Sequence, residues 1–116
     1  MAEHLQVDLC IIGAGPGGLS VAAGAQQIGA SCVLIERGLM GGDCLNYGCV
    51  PSKALLAAGH AAEAIRHAPN FGVNAGQPVI NSEKVYGHVH SVIAAIAPND
   101  SVERFEGFGV KVIQAE

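Results

Sequence analysis

The sequence predicts an α/β fold built on a parallel sheet, and three observations predict it. Two short runs, Val7 to Ile12 and Ser31 to Ile35, are mostly apolar. Between them lies a stretch of small, helix-tolerant residues from Gly17 to Ile28. A glycine cluster, Gly13, Gly15, Gly17 and Gly18, sits where the first run ends. Brief apolar runs of this kind mark strands buried in a parallel sheet. Strand, tight turn, helix and strand within about thirty residues form a βαβ unit.

Composition sets the outer limits. The 116 residues fit one modest domain. Half are hydrophobic and 14% are charged, enough to pack a core. Aromatics make up 4%, Trp is absent and the net charge is −4, which argues against a nucleic-acid partner. No apolar run reaches the ~18–20 residues that span a bilayer. Met1-Ala2-Glu3-His4 lacks the basic segment and long apolar run of a signal peptide, so a cytoplasmic protein is expected. Four cysteines in such a setting point to reduced, catalytic or metal-binding thiols rather than structural staples. Cys10 and Cys32 lie in the apolar runs and read as small buried hydrophobes.

Each element follows in order. Gly29 is a fitting stop for the first helix. The second strand ends at Glu36-Arg37, and Arg37 to Met40 form a short loop. A single helix is expected from about Asp43 or Cys44 to His67, with Pro51 in its first turns, where a missing N–H costs least. Ala68-Pro69-Asn70 ends it. Residues 69 to 80 read as a loop, with Phe71-Gly72-Val73 tucked into the core. Ser82 is the expected N-cap of the next helix, and Val85, Val89, Val92, Ile93 and Ile96 have helical spacing. Pro98 interrupts that helix, Ser101 to Phe105 resume it, and Val110 to Ile113 form a third strand. His60 with His67, and His88 with His90, lack a convincing third ligand, so no metal site is assigned to them.

The glycine cluster has a mechanical reading. Gly13 permits the turn out of the strand, Gly15 lets backbone approach a pyrophosphate, and Gly18 lets the helix pack close. Along Gly13-Ala14-Gly15-Pro16-Gly17-Gly18, the free amides and positive dipole end of the helix N-terminus then face the phosphates. Glu36 lies 36 − 18 = 18 residues past Gly18, placed to accept hydrogen bonds from ribose hydroxyls. Its charge would repel a 2′-phosphate, so FAD or NAD fits better than NADP.

The stretch Gly41-Gly42-Asp43-Cys44-Leu45-Asn46-Tyr47-Gly48-Cys49-Val50-Pro51-Ser52-Lys53 carries the second motif. Disulfide exchange needs one thiol to attack and a second to resolve, and Cys44 and Cys49 supply two. Residues five apart in an ideal helix have Cα atoms about 8.6 Å apart, whereas a disulfide needs roughly 4.4–6.8 Å. If the bond forms, the chain must leave ideal helix between them, and Gly48 and Pro51 are suited to that. Lys53, four residues past Cys49, favours a Cys49 thiolate. Two plain reduced cysteines, or a soft-metal site, remain open on these residues alone.

The same stretch closely resembles the active-site segment of the FAD-dependent pyridine nucleotide-disulfide oxidoreductases, and Val-Pro-Ser-Lys resembles the mercuric reductase and dihydrolipoamide dehydrogenase branches. The resemblance implies an incomplete Rossmann-like (FAD/NAD(P)-binding) α/β domain, with residues 1–116 as the N-terminal part of a single FAD-binding domain. An NAD(P)-binding domain and a dimerisation domain bearing a His–Glu acid/base pair would lie outside this chain, and the full-length protein would be a homodimer using FAD and NAD(P)H. Cys44 would be the more accessible thiol, meeting a small-molecule disulfide, dithiol or metal-ion substrate, and Cys49 would face the flavin. Gly13, Ala14, Gly15, Pro16, Gly17, Gly18, Glu36, Arg37, Gly42, Asp43 and Lys53 would hold the cofactor, Lys53 near flavin N5. Asp43 and Tyr47 depart from the threonine and small aliphatic residue common there. A non-catalytic nucleotide-binding fragment and a thiol metal-binding module are the alternatives.

Overall fold

The computed structural model describes residues 2–116. Its elements, in order, are β1 (Leu9–Ile12), α1 (Pro16–Gln27), β2 (Cys32–Glu36), α2 (Gly42–Asn46), α3 (Cys49–His67), α4 (Ser82–Ile96), α5 (Val102–Gly107) and β3 (Lys111–Gln114). Short 3₁₀ turns at Ala68–Phe71 and Ala97–Asp100 follow α3 and α4. Each turn has proline at its second position, where a regular α-helix would lose a backbone bond.

The three strands form one parallel sheet in the order β1-β2-β3. Leu9 pairs with Cys32 and Ile12 with Ile35 on one side of β2, and Val33 pairs with Lys111 on the other. α1 covers one face. There Ile11, Cys32 and Leu34 pack with Leu19, Ala22 and Ala25, and Phe105 and Val110 close the cluster from the α5 side. Leu34 is fully buried. Burial of a leucine is worth about 1.5–3 kcal/mol.

On the opposite face Val33 is buried but the β1 residues are uncovered, and this corrects the expectation for Cys10. Successive residues of a strand point to opposite faces. Ile11 points into the core, so Cys10 and Ile12 point away from it; Cys10 is exposed and Ile12 is 84% exposed. Cys32, facing α1, is buried as expected.

Three further expectations are corrected. The helix expected from Asp43 or Cys44 to His67 is two helices, because the chain breaks at Tyr47-Gly48. Phe71 and Val73 are exposed and do not enter the core, since Phe71 ends, and Val73 follows, a 3₁₀ turn carried out on the end of α3. The N-cap of α4 is Asn81 rather than Ser82, because the Asn81 side chain accepts a hydrogen bond from the Lys84 N–H at 3.0 Å. Val85, Val89, Val92, Ile93 and Ile96 are all half-buried. They form the stripe of α4, which packs against α3.

Gly18 and Gly17 separate two uses of glycine. A Cβ on Gly18 would overlap the Gly13 carbonyl and crowd Ile11, whereas one on Gly17 would meet nothing within 4 Å. Gly18→Ala is expected to destabilise the chain by at least about 1–3 kcal/mol, as overpacking does. Gly17→Ala is expected to leave stability within about 1 kcal/mol, since alanine suits a helix better than glycine. Urea unfolding midpoints of the two variants check the pair, and equal losses would contradict this packing.

Candidate active site

The glycine turn begins where β1 ends. Gly13 has φ 101°, open to glycine, and its N–H donates to the Ile35 carbonyl at 2.7 Å. The chain enters α1 at Pro16 in its first turn, with Gly15 as an N-cap that offers no side chain. The first-turn amides therefore have no side-chain cap. A Cβ on Gly15 or Gly17 would meet nothing within 4 Å. Open space over uncapped amides at a helix N-terminus is what a phosphate needs, so the residues present fit a dinucleotide.

Glu36 closes this turn from the side. Its Oε2 accepts from the Ala14 N–H at 2.6 Å, and its Oε1 accepts from the Gly38 N–H at 2.7 Å. These bonds, that from Ala14 first, hold its carboxyl below the usual carboxylate range. A carboxylate has about four lone-pair sites, so capacity for ribose hydroxyls remains. Arg37 is exposed and lies 4.0 Å from the Glu116 carboxylate, a surface pairing worth little.

The cysteine segment docks on the same turn through backbone. The Gly41 N–H donates to the Ala14 carbonyl at 2.9 Å. Gly42, at φ 59°, lies against Gly15, so close that a Cβ would come 2.8 Å from the Gly15 Cα. Asn46, which sequence reasoning passed over, staples this junction. Its Nδ2 donates to the Met40 carbonyl at 3.1 Å and the Gly42 carbonyl at 2.8 Å. The available signal was an asparagine inside a helical stretch, where its side chain competes for backbone. Leu45, buried, anchors α2 beside it.

The two thiols are both free, and Cys49 is close enough to act on Cys44. Cys44 is raised above the usual thiol range, first by its hydrogen-bonding interaction with the Cys49 side chain and then by local desolvation. The Cys49 backbone N–H and the Lys53 cation act in the opposite direction. Lys53 is exposed. In this chain Cys49 is exposed and Cys44 is half-buried. Cys44 sits inside α2, beside the core-anchored Leu45, while Cys49 opens α3 at the break. Asp43 and Tyr47 are exposed, and Tyr47 borders an apolar cavity of about 590 Å³ between α3 and α4 with Pro51, Leu55, Tyr86 and Val89. Sequence periodicity gave no signal for that cavity. The histidines His60, His67, His88 and His90 are exposed.

A βαβ glycine turn with uncapped amides, joined by backbone to a segment that carries two cysteines, defines a class: an incomplete Rossmann-like nucleotide-binding α/β fold. The family model described as pyridine nucleotide-disulphide oxidoreductase matches residues 7–113, and the chain belongs to that family. It is 44% identical over 89 residues to a dihydrolipoyl dehydrogenase of Staphylococcus aureus and 40% identical over 89 residues to that of Bacillus subtilis. Each alignment covers 77% of this chain and 19% of the relative. It is 47% identical over 82 residues to a mercuric reductase of Streptomyces lividans, covering 70% of this chain and 17% of the relative. The chain thus spans about a fifth of the length of these relatives. Members of the family use FAD and NAD(P)H. No described helix is long and apolar enough to cross a membrane.

Because its carboxyl is lowered in the fold, Glu36 stabilises the chain above the ordinary carboxylate pKa and loses that contribution as pH falls through its folded value. Asp8, lowered by its hydrogen bonds to Ser31, acts in the same sense. Between about pH 6 and about pH 3 the native chain is therefore expected to lose more urea resistance than Glu36→Gln, with Asp8 retaining part of the slope. Identical pH slopes for the two would contradict the carboxylate clasp.

Proposed function

We propose that the chain is the N-terminal FAD-binding, redox-disulfide part of a flavoprotein oxidoreductase. The complete protein moves electrons from NAD(P)H to the Cys44–Cys49 pair and on to a disulfide or metal-ion substrate, or runs in reverse from a dithiol. Residues 1–116 are, in this reading, part of a single FAD-binding domain, with NAD(P)-binding and dimerisation domains elsewhere in a longer protein. The complete protein works as a cytoplasmic homodimer; the homodimer rests on the family resemblance alone. The observation that carries the proposal is the backbone junction of Gly41 and Gly42 with Ala14 and Gly15, which joins the cysteine segment to the glycine turn.

FAD, when bound, supplies two-electron exchange between the nicotinamide and the thiols. The amides of Gly15, Gly17 and Gly18 would hold its phosphates, on a turn shaped by Gly13, Ala14 and Pro16, and Glu36 its ribose, with Arg37, Gly42, Asp43 and Lys53 around it. The thiol chemistry belongs to the chain. Cys44, as thiolate, attacks one sulfur of a substrate disulfide; that S–S bond breaks and the departing thiolate takes up a proton. Cys49 then attacks the Cys44 sulfur, expels the second substrate thiol and closes Cys44–Cys49. Two electrons have passed from the pair to the substrate. For a metal-ion substrate the same pair offers two soft thiolate ligands.

The raised Cys44 pKa gives this sequence a requirement. In the reduced chain Cys44 holds its proton in the interaction with Cys49, so attack by Cys44 needs a base to remove it. The His–Glu pair implied by the resemblance would meet that need from the dimerisation domain.

Anaerobic thiol counting on the full-length flavoprotein tests the proposal. Reduction with NADH or NADPH is expected to expose two further titratable thiols per chain, and none in Cys44→Ser or Cys49→Ser. A flavin that is reduced with no gain in thiols would overturn it. With one dinucleotide fingerprint, assigned to FAD, the isolated 116 residues are expected to show no NAD(P)H-dependent turnover above free flavin.

A further inference from the structure

The break between α2 and α3 brings the thiols together, and Gly48 stands at the break. Two neighbours make the junction tight. A Cβ on Gly48 would lie 3.0 Å from Asp43 Oδ2, 3.1 Å from the Asp43 carbonyl oxygen and 3.3 Å from the Cys44 Cα. All three atoms belong to α2, the helix that carries Cys44. The carboxylate can rotate away, because it is exposed and accepts no hydrogen bond among the described residues. The other two are backbone and cannot. Relief must come from moving the start of α3 off α2, and Cys49 is covalently joined to Gly48. Gly59, also in α3, is different: a Cβ there meets nothing within 4 Å.

We infer that Gly48 is a positioning residue for the thiol pair. Its missing side chain lets the first turn of α3 seat against Asp43 and Cys44, and that seating sets how readily the two sulfurs close into a disulfide. The inference rests on reading Cys44 and Cys49 as the redox pair. A side chain at position 48 separates the sulfurs in the reduced chain and strains the oxidised one. Closure removes one proton and one electron from each thiol and forms the S–S bond. In the test below, oxidised glutathione takes the two electrons and becomes two glutathione thiols.

The 116-residue chain is equilibrated anaerobically with glutathione mixtures, quenched in acid and alkylated. Peptide mapping then reads Cys44 and Cys49 separately from Cys10 and Cys32. Gly48→Ala is expected to lower the equilibrium constant for the Cys44–Cys49 disulfide by at least about tenfold, which for two electrons is about 30 mV. Gly59→Ala is expected to leave it unchanged. A second readout is the pH dependence of Cys44 alkylation. In the native chain its midpoint is raised by Cys49, and in Gly48→Ala it should fall toward the ordinary thiol value. An unchanged constant and midpoint in a folded Gly48→Ala would overturn the inference. So would a Gly48→Ala chain that circular dichroism shows to be unfolded, since Gly48 would then serve the whole fold rather than the pair. If the native chain forms no Cys44–Cys49 disulfide at any glutathione ratio, the redox-pair reading fails, and the role of Gly48 with it.

Discussion

The backbone contact between two glycine-rich segments is the constraint on which the rest of the site depends. Gly41 donates to the Ala14 carbonyl, and Gly42 rests on Gly15. Neither contact uses a side chain, and a Cβ on Gly42 would fill the space that the second one requires. The contact ties residues 41–42, beyond the second strand, to the turn after the first. Glu36 reinforces it from β2, because its carboxylate holds the Ala14 N–H while the Ala14 carbonyl receives Gly41. Ala14, fully buried, is therefore gripped on both its backbone groups. Two segments that sequence reading treats separately, the glycine turn and the cysteine segment, are in this way one structural unit.

Rigidity at that junction has a counterpart at the thiols. α2 is only five residues long and has no side-chain cap at its start. A helix so short is not stable by itself. Asn46 bonding back to Met40 and Gly42, together with buried Leu45, supplies what propensity does not. Cys44 is thus fixed by α2, and Cys49 by the longer α3. Their relation is set by the Tyr47-Gly48 turn, where the Tyr47 N–H closes α2 on the Asp43 carbonyl at 2.8 Å and the Gly48 carbonyl opens α3 by accepting from the Ser52 N–H at 3.0 Å.

The βαβ unit, the role of Gly18 and the position of Glu36 were legible in the sequence, because each follows from a local rule: strand length, turn geometry and spacing. The need for a break between Cys44 and Cys49 was legible too, from helix geometry set against disulfide geometry. Its form was not. Ala, Leu and Glu favour one continuous helix, and the propensity reading had no term for the junction that ends α2 early. Cys10 was misread because an apolar run predicts two covered faces, whereas helices of this chain pack on one; Ile12 shows the same exposure. Asn81 rather than Ser82 caps α4 because both are good caps, and a one-residue choice between them depends on the path of the preceding loop. The relative exposure of the two thiols depends on how α2 packs, which no spacing rule encodes.

Native-state hydrogen exchange of the Gly41 amide tests the central claim most directly. This N–H has one partner, the Ala14 carbonyl across the junction, and its protection reports whether the two segments stay docked. The account predicts protection comparable to that of the Gly13 amide, which bonds to Ile35 in the sheet, because docking and the βαβ unit open together. A Gly41 amide exchanging at the rate of an unstructured loop, with Gly13 still protected, would show that the thiol segment is not held on the glycine turn and would contradict the account.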